Sequence, residues 1–505
     1  MYDLVIVNGE VITSESKSFK DIAIKDGKIA EIVERGTLDK TQLQGAEVYD
    51  ASGKCVIPGL VEPHMHIKAP LGGFTDILDF DSASKCAAFG GVTTFIDFTS
   101  TLPGDSLLKA VEDRKKEMEK AKLDYSCHCK VVNLVTTELA SEANLAEVKF
   151  AKTKSDTDKK TAQTAVAKVE QAINDRLSEI PKIIKDEGIP TFKLFMTYRK
   201  ANVMIDDTYM LKVLAEIKKY GGRCGFHAES NAIAEYNEEL FAQKGTLDWK
   251  YFPECKNNLC EAEAVNRVLY YAKLLDVPIY FFHLTTKESV ALVRKAKQEG
   301  VDVIAETCTH YLTLTKDKND GDDGILYLMS PPLRTEEDQD ALWDGLRDGT
   351  LSLVSSDNCT FTRKQKEAPL KNGERDFRKP INGVSGIEER FTLMRHAVND
   401  GKISERDFVK LLCENPAKVF GCYPQKGCLK KGSDADIVIY DPDKTFRLLK
   451  ENLHYPNELE YSIYSDFDAK GCIESTIRRG EFLVKKNEWN DSASPGKFLR
   501  RTLSK

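Results

Sequence analysis

The feature that most limits how this chain can fold is a rhythm. A short apolar or β-branched run is followed by an amphipathic helical segment, eight times over. The runs fall at 55–62, 92–99, 125–133, 191–196, 223–228, 278–284, 301–307 and 351–356. Between them lie segments with apolar residues at helical spacing, such as Leu107 to Lys120, Tyr209 to Tyr220, Glu261 to Leu275 and Glu288 to Gln298. Strands that alternate with helices pair in parallel, and eight such units predict an α/β fold, a (β/α)8 TIM-like barrel. In that fold chemistry sits at the C-terminal ends of the strands, so polar residues there are candidates before any motif is considered.

The chain ends break the rhythm. Leu4 to Val7, the turn Asn8-Gly9, Asp21 to Ile24 and the turn Asp26-Gly27 read as hairpins, and Gly432 to Tyr440 and Ile473 to Val484 have the same β character. Both ends are expected to build one small β-sandwich domain. The expected divisions are 1–55 and 425–490 for that domain, 56–424 for the barrel and 491–505 for a C-terminal tail. A Lys-rich tract, 149–160, interrupts the connection between the third and fourth strands before a helix from Gln163 to Lys185, and reads as solvated surface.

Bulk properties narrow the partners. A formal net charge of −7 without a basic stripe gives no reason to expect nucleic acid or a membrane surface. The N-terminus lacks the marks of a signal peptide and no run approaches the roughly 18 apolar residues of a membrane span, so a cytoplasmic location is expected. Thirteen cysteines without zinc-ribbon spacing suit reduced thiols. Cys127-His128-Cys129 lies inside an apolar run and reads as core packing.

Four of the chain's eight histidines directly follow or end barrel runs: His64 and His66 on the first, His227 on the fifth and His283 on the sixth. Lys193 lies on the fourth and Asp357 ends the eighth. Six such groups can hold two divalent ions about 3.5–4 Å apart. Lys193 is open to two readings. A desolvated lysine is neutral enough to capture carbon dioxide as a carbamate with an oxygen for each metal, or its ammonium pairs with Asp357 or another acid.

These segments resemble the dihydropyrimidinase/hydantoinase family of cyclic amidohydrolases. The resemblance is carried by Val61-Glu62-Pro63-His64-Met65-His66, Phe192 to Met196, Gly225 to Glu229, His283 to Thr286, Glu306 to Leu312, Ser330 to Arg334, Ser356 to Phe361, Asn415 to Gly421 and Gly432 to Val438, and covers nearly the whole chain. It implies that His64, His66 and Asp357 bind one metal and His227 and His283 the other. N6-carboxylysine at Lys193 and a hydroxide would bridge them, with zinc the expected ion and manganese, iron or cobalt compatible with the donors. It further implies that Asp357 shuttles the proton, that Tyr198 stabilises the oxyanion, and that Ser330 and Asn382 hold the substrate's –NH–CO– edge. His310 is given a structural role. The implied reaction opens a dihydropyrimidine or 5-substituted hydantoin to an N-carbamoyl amino acid, in a homotetramer or homodimer.

Two departures bear on the substrate. The chain has Asp357-Asn358-Cys359 where many relatives have Asp-His-Cys. Lys68 stands where related dihydroorotases carry a carboxylate-binding arginine. A lysine two residues beyond His66 should share its side of a strand, which makes an anionic ring one reading and a pair with an acid such as Asp76 the other. Alternatives for the whole chain are an allantoinase- or dihydroorotase-like hydrolase, an opener of an oxidised purine, and a non-catalytic dihydropyrimidinase-related scaffold.

Overall fold

The structure is a computed structural model and describes residues 1–503 apart from 39, 40, 42, 72 and 372. Gly72, in the loop after the histidine pair, and the last two residues of the expected tail lie outside the described residues.

Eight parallel strands follow one another in chain order: Leu60–Glu62, Val92–Phe98, Asp124–Lys130, Thr191–Phe195, Arg223–His227, Ile279–Phe281, Val303–Cys308 and Leu353–Ser355. A parallel bridge between Met65 and Asn358 joins the segments that leave the first and eighth strands, and the His66 N–H donates to the Asn358 carbonyl at 2.8 Å. The strands therefore form the expected TIM-like barrel. Strand residues such as Val92 to Phe98 are buried on both faces, as parallel strands between helices and a barrel interior must be. Helices start at side-chain caps, for example Ser106 accepting from the Lys109 N–H and Thr286 from the Ser289 N–H.

The expected first strand is really two strands in two sheets. Cys55–Pro58 pairs with Ile437 to Tyr440 in the terminal sheet, whereas Leu60–Glu62 pairs with the second barrel strand. The crossing falls at Pro58-Gly59, where proline offers no N–H to a ladder and a Cβ on Gly59 would overlap Thr93. Apolar character alone runs unbroken through this point, so it hides the change of partner.

The terminal domain is built from both chain ends, but as one hydrogen-bonded sheet of nine strands rather than two separate sheets. Leu4, Ile24 and Tyr49 from the start of the chain share a core with Ile437, Ile477 and Phe482 from its end. The tract at 149–160 is mostly helical. Thr137–Thr153 and Asp156–Lys185 meet at a corner where Lys154 takes φ +52° and Ser155 caps the second helix, which begins earlier than Gln163.

The chain's last segment returns to the floor of the barrel. Tyr125 donates to the Lys497 carbonyl and accepts from the Leu499 N–H, and Arg501 enters between the starts of the third and fourth strands. No helix among the described residues is long and apolar enough to cross a membrane.

Candidate active site

The mouth of the barrel holds a cavity of about 370 Å³, within the usual range for small-molecule sites. His64, His66, Lys193, Tyr198, His227, His283, Ser330, Asp357 and Asn382 all line it. The backbone that presents them is held in uncommon conformations: φ is +37° at His283, +45° at Asp357 and +69° at Tyr198. Non-glycine residues in this left-handed region carry strain that packing must offset, and such residues concentrate at functional sites.

His64 is the best-oriented donor. Its Nδ1 shares a 2.5 Å hydrogen bond with Glu306 Oε1, while Tyr280 donates to the other Glu306 oxygen. That pairing turns Nε2 toward Asp357 Oδ1 at 3.0 Å, where it is buried and has no hydrogen-bond partner. His64, His283 and Asp357 each offer a ligand atom within 4.8 Å of the others. His66 Nε2 lies 3.4 Å from the same Asp357 oxygen, and the His227 and His283 rings are 4.5 Å apart. The set fits a divalent ion: imidazole nitrogens beside an anionic carboxylate, with the Glu306 carboxylate behind His64 to hold its ring in place.

The electrostatics agree with that donor set. Burial lowers His66 to about 4 and pushes His227 and His283 below the usual imidazole range, so these rings are neutral. Burial also acts to raise Asp357, but the nearby His64 and His66 imidazoles hold its carboxyl well below the usual range. Lys193 has no acid within ion-pair distance among the described residues. Its Nζ sits 3.6 Å from the centre of the Phe282 ring, 5.1 Å from Phe195 and 5.3 Å from Phe98. Burial there lowers it to about 7, well below the range of an exposed lysine. Gly225, beside Lys193 in the ladder, makes room for this arrangement, because a Cβ would overlap Phe282.

Tyr198, Ser330 and Asn382 also line the cavity, with the Tyr198 ring centre 5.3 Å from that of His227. Glu229 Oε2 accepts from His227 Nε2 (2.6 Å), Lys256 Nζ (3.0 Å) and Ser330 Oγ (2.9 Å). With Nε2 so engaged, His227 has Nδ1 left as a ligand atom. Lys256 also lies 5.1 Å from the Tyr198 ring centre and donates to Ser330 Oγ. Burial raises the Tyr198 hydroxyl to about 12, which keeps it a donor. The Asn382 Oδ1 is buried and unpartnered.

Lys68 does not join this group. It is exposed, takes φ +50° and does not line the cavity. The first barrel strand ends at Glu62, so side-chain alternation does not carry from His66 to Lys68. Nor does Lys68 pair with Asp76, whose carboxylate is buried and accepts from the N–H groups of Leu78 and Thr360. His128 is a core residue as expected, bonded to Thr191 Oγ1 and the Pro63 carbonyl.

Sequence reasoning missed Glu229, Lys256, Glu306 and the cavity-facing role of His310, whose two nitrogens are buried without partners. Glu306 carries a legible signal, an acid in the middle of an apolar strand. Lys256 comes from a distant irregular segment, and nothing local marks it.

Residues 55–483 match the Amidohydrolase family. The chain is 35% identical to the D-hydantoinases of Ralstonia pickettii and of Rhizobium radiobacter, over 99% of this chain and of each relative. Its fold superposes on a crystal structure of a D-hydantoinase with TM-score 0.87 at 32% identity, covering 99% of both chains. For the dihydropyrimidinase from Brevibacillus agri NCHU1002 the TM-score is 0.87 at 31% identity, covering 100% of both. With its barrel, its strand-end histidines and its relatives in agreement along the whole length, the chain belongs to the amidohydrolase family, in the hydantoinase and dihydropyrimidinase branch.

Proposed function

We propose that this protein opens a cyclic amide, of the 5-substituted hydantoin or dihydropyrimidine type, to an N-carbamoyl amino acid, and that it does so with two divalent metal ions. The observation that carries the reading is the His64 Nε2 atom, buried, unpartnered and aimed by Glu306 into a cluster with His283 and Asp357. Folding alone does not favour a buried imidazole with an unused lone pair.

His64, His66 and Asp357 would hold one ion and His227 and His283 the other, with Lys193 shared between them. Zinc is the expected metal, and manganese, iron and cobalt suit the same donors. When bound, the ions supply Lewis acidity and lower the pKa of water. Lys193 serves as N6-carboxylysine. Its neutral amine forms the N–C bond to carbon dioxide and releases a proton to solvent, and its depressed basicity and aromatic surroundings support this over an ion pair.

The residues of the chain then divide the work. Asp357, held as a carboxylate, accepts the proton of the attacking water and returns it to the departing amide nitrogen, which leaves poorly unless protonated. Tyr198 keeps its proton and donates it in a hydrogen bond to the developing oxyanion. Ser330 and Asn382 orient the ring's –NH–CO– edge. The resemblance also implies a homotetramer or homodimer, which light scattering would resolve. A cytoplasmic location fits thirteen cysteines that are all free and buried.

The test is a panel of hydantoins, dihydrouracil, allantoin, dihydroorotate and an oxidised purine, assayed with and without chelator. Ring opening of a hydantoin or dihydrouracil that chelation abolishes and a divalent ion restores is expected. Hydrolysis of none of the rings by metal-loaded protein would sink the reading.

A further inference from the structure

The candidate ligands come from the first, fourth, fifth, sixth and eighth strands, the seventh contributes Glu306 behind His64, and the ends of the second and third form wall alone. There the cavity is lined by Phe98, Thr99, Ser100 and Lys130. Lys130 is the last residue of the third strand and pairs in register with Lys193. Its backbone is fixed at both ends: the N–H donates to Thr99 Oγ1 at 2.9 Å and the carbonyl accepts from Thr101 Oγ1 at 2.8 Å. Strand alternation puts its side chain on the face of His128, inside the barrel.

The other cations on the cavity wall are matched. Arg114 pairs with Asp97 at 2.5 Å, Arg378 with Asp376 at 2.5 Å, and Lys379 with Glu374. Lys193 is accounted for by its carbamate. Among the described residues, Lys130 has neither an acid within ion-pair distance nor a hydrogen bond from its ammonium. It is only partly exposed, and burial lowers it to about 8, which leaves it cationic at neutral pH. Asp105 acts on this ammonium only from beyond ion-pair distance and Arg114 opposes it, so a half-buried charge remains that something entering the cavity could match directly.

We infer that Lys130 is a specificity-determining residue, and that the preferred substrate is a cyclic amide whose ring bears an anionic, carboxylate-carrying substituent. This rests on the ring-opening reading above for the ring itself. The anion-binding lysine sought at position 68 is thereby placed on a different strand end.

The experiment uses the metal-loaded full-length enzyme and two matched rings, 5-(2-carboxyethyl)hydantoin and its carboxamide. Wild type should favour the carboxylate by about tenfold to a hundredfold in kcat/KM, the range of one charge-assisted hydrogen bond. The ratio should collapse to about 1 in Lys130→Met and in Lys130→Gln, and persist in Lys130→Arg. Equal rates on both rings in wild type, or a ratio that Lys130→Met leaves intact, would overturn the inference. Calorimetric binding of the matching open forms, N-carbamoylglutamate and N-carbamoylglutamine, separates it from the function itself. If neither ring is opened but wild type binds the dicarboxylate better and Lys130→Met does not, the ring-opening reading fails and the role of Lys130 stands. If the two open forms bind equally to wild type, Lys130 has no such role.

Discussion

At the floor of the barrel, Arg501 is 1% exposed and every nitrogen of its guanidinium has an acceptor: Ser126 Oγ, the Cys127 and Phe420 carbonyls, and Thr191 Oγ1. At the mouth, His64 Nε2, both nitrogens of His310, Asn382 Oδ1 and one oxygen of Glu229 are buried without partners. The lysines repeat the contrast. Lys426, near the floor, is ringed by Asp124, Asp434 and Asp436 at 2.5–3.0 Å and held above the usual lysine range despite its burial. Lys193, at the mouth, faces three aromatic rings and is held below it. Arg501 and Lys426 at the floor are satisfied by the fold itself, as stability requires. The polarity left over at the mouth is what a metal and a substrate would satisfy.

Substitutions at the two ends should therefore separate activity from stability. The largest effect is expected for Asp357→Asn, which removes the proposed proton carrier. Its kcat/KM should fall by about 10²–10⁴-fold, with a loss of thermal stability smaller than that expected for Arg501→Ala, since the fold stabilises this carboxylate through His64 and His66. Arg501→Ala should do the reverse. It opens a cavity and orphans four acceptors, for a loss of roughly 3–5 kcal/mol in denaturant unfolding, with kcat/KM of the folded fraction nearly intact. Equal losses of activity from both would erase the comparison. Glu306→Gln should weaken metal binding by about 10–100-fold in a competition titration, since it only aims His64.

The smallest effect sharpens the account of Lys193. At fixed dissolved carbon dioxide, reconstitution should follow the neutral amine. Its fraction rises as the proton is lost through about pH 7, so the rate should climb about tenfold between pH 6 and 8 and then level off. A rate still climbing at pH 9 would indicate an ordinary, solvated lysine.

The barrel, its eight strands and its candidate donors were legible because each depends on local pattern. A buried parallel strand must be apolar, and a histidine or acid at its end stands out. What was not legible depends on where a strand stops. Apolar residues run on from Cys55 through Val61, and only the proline and glycine between them mark the change of sheet. The third strand reads on to Asn133 but ends at Lys130. That difference left Lys130 looking like a mid-strand residue instead of a strand end. Lys68 failed for the same reason in reverse, since the strand assumed to carry it had already ended. The Glu229–Lys256–Ser330 network joins three segments far apart in the chain, and a single sequence offers no local sign of such a meeting.

The unsatisfied groups at the mouth are proposed to be a two-metal site built on a modified lysine. Elemental analysis of wild type and of Lys193→Ala, purified side by side in zinc-supplemented buffer, tests it most directly. Two ions per chain in wild type, and one or none in the variant, is the predicted result. Wild-type protein that holds no metal, or a variant that holds as much as wild type, would contradict it.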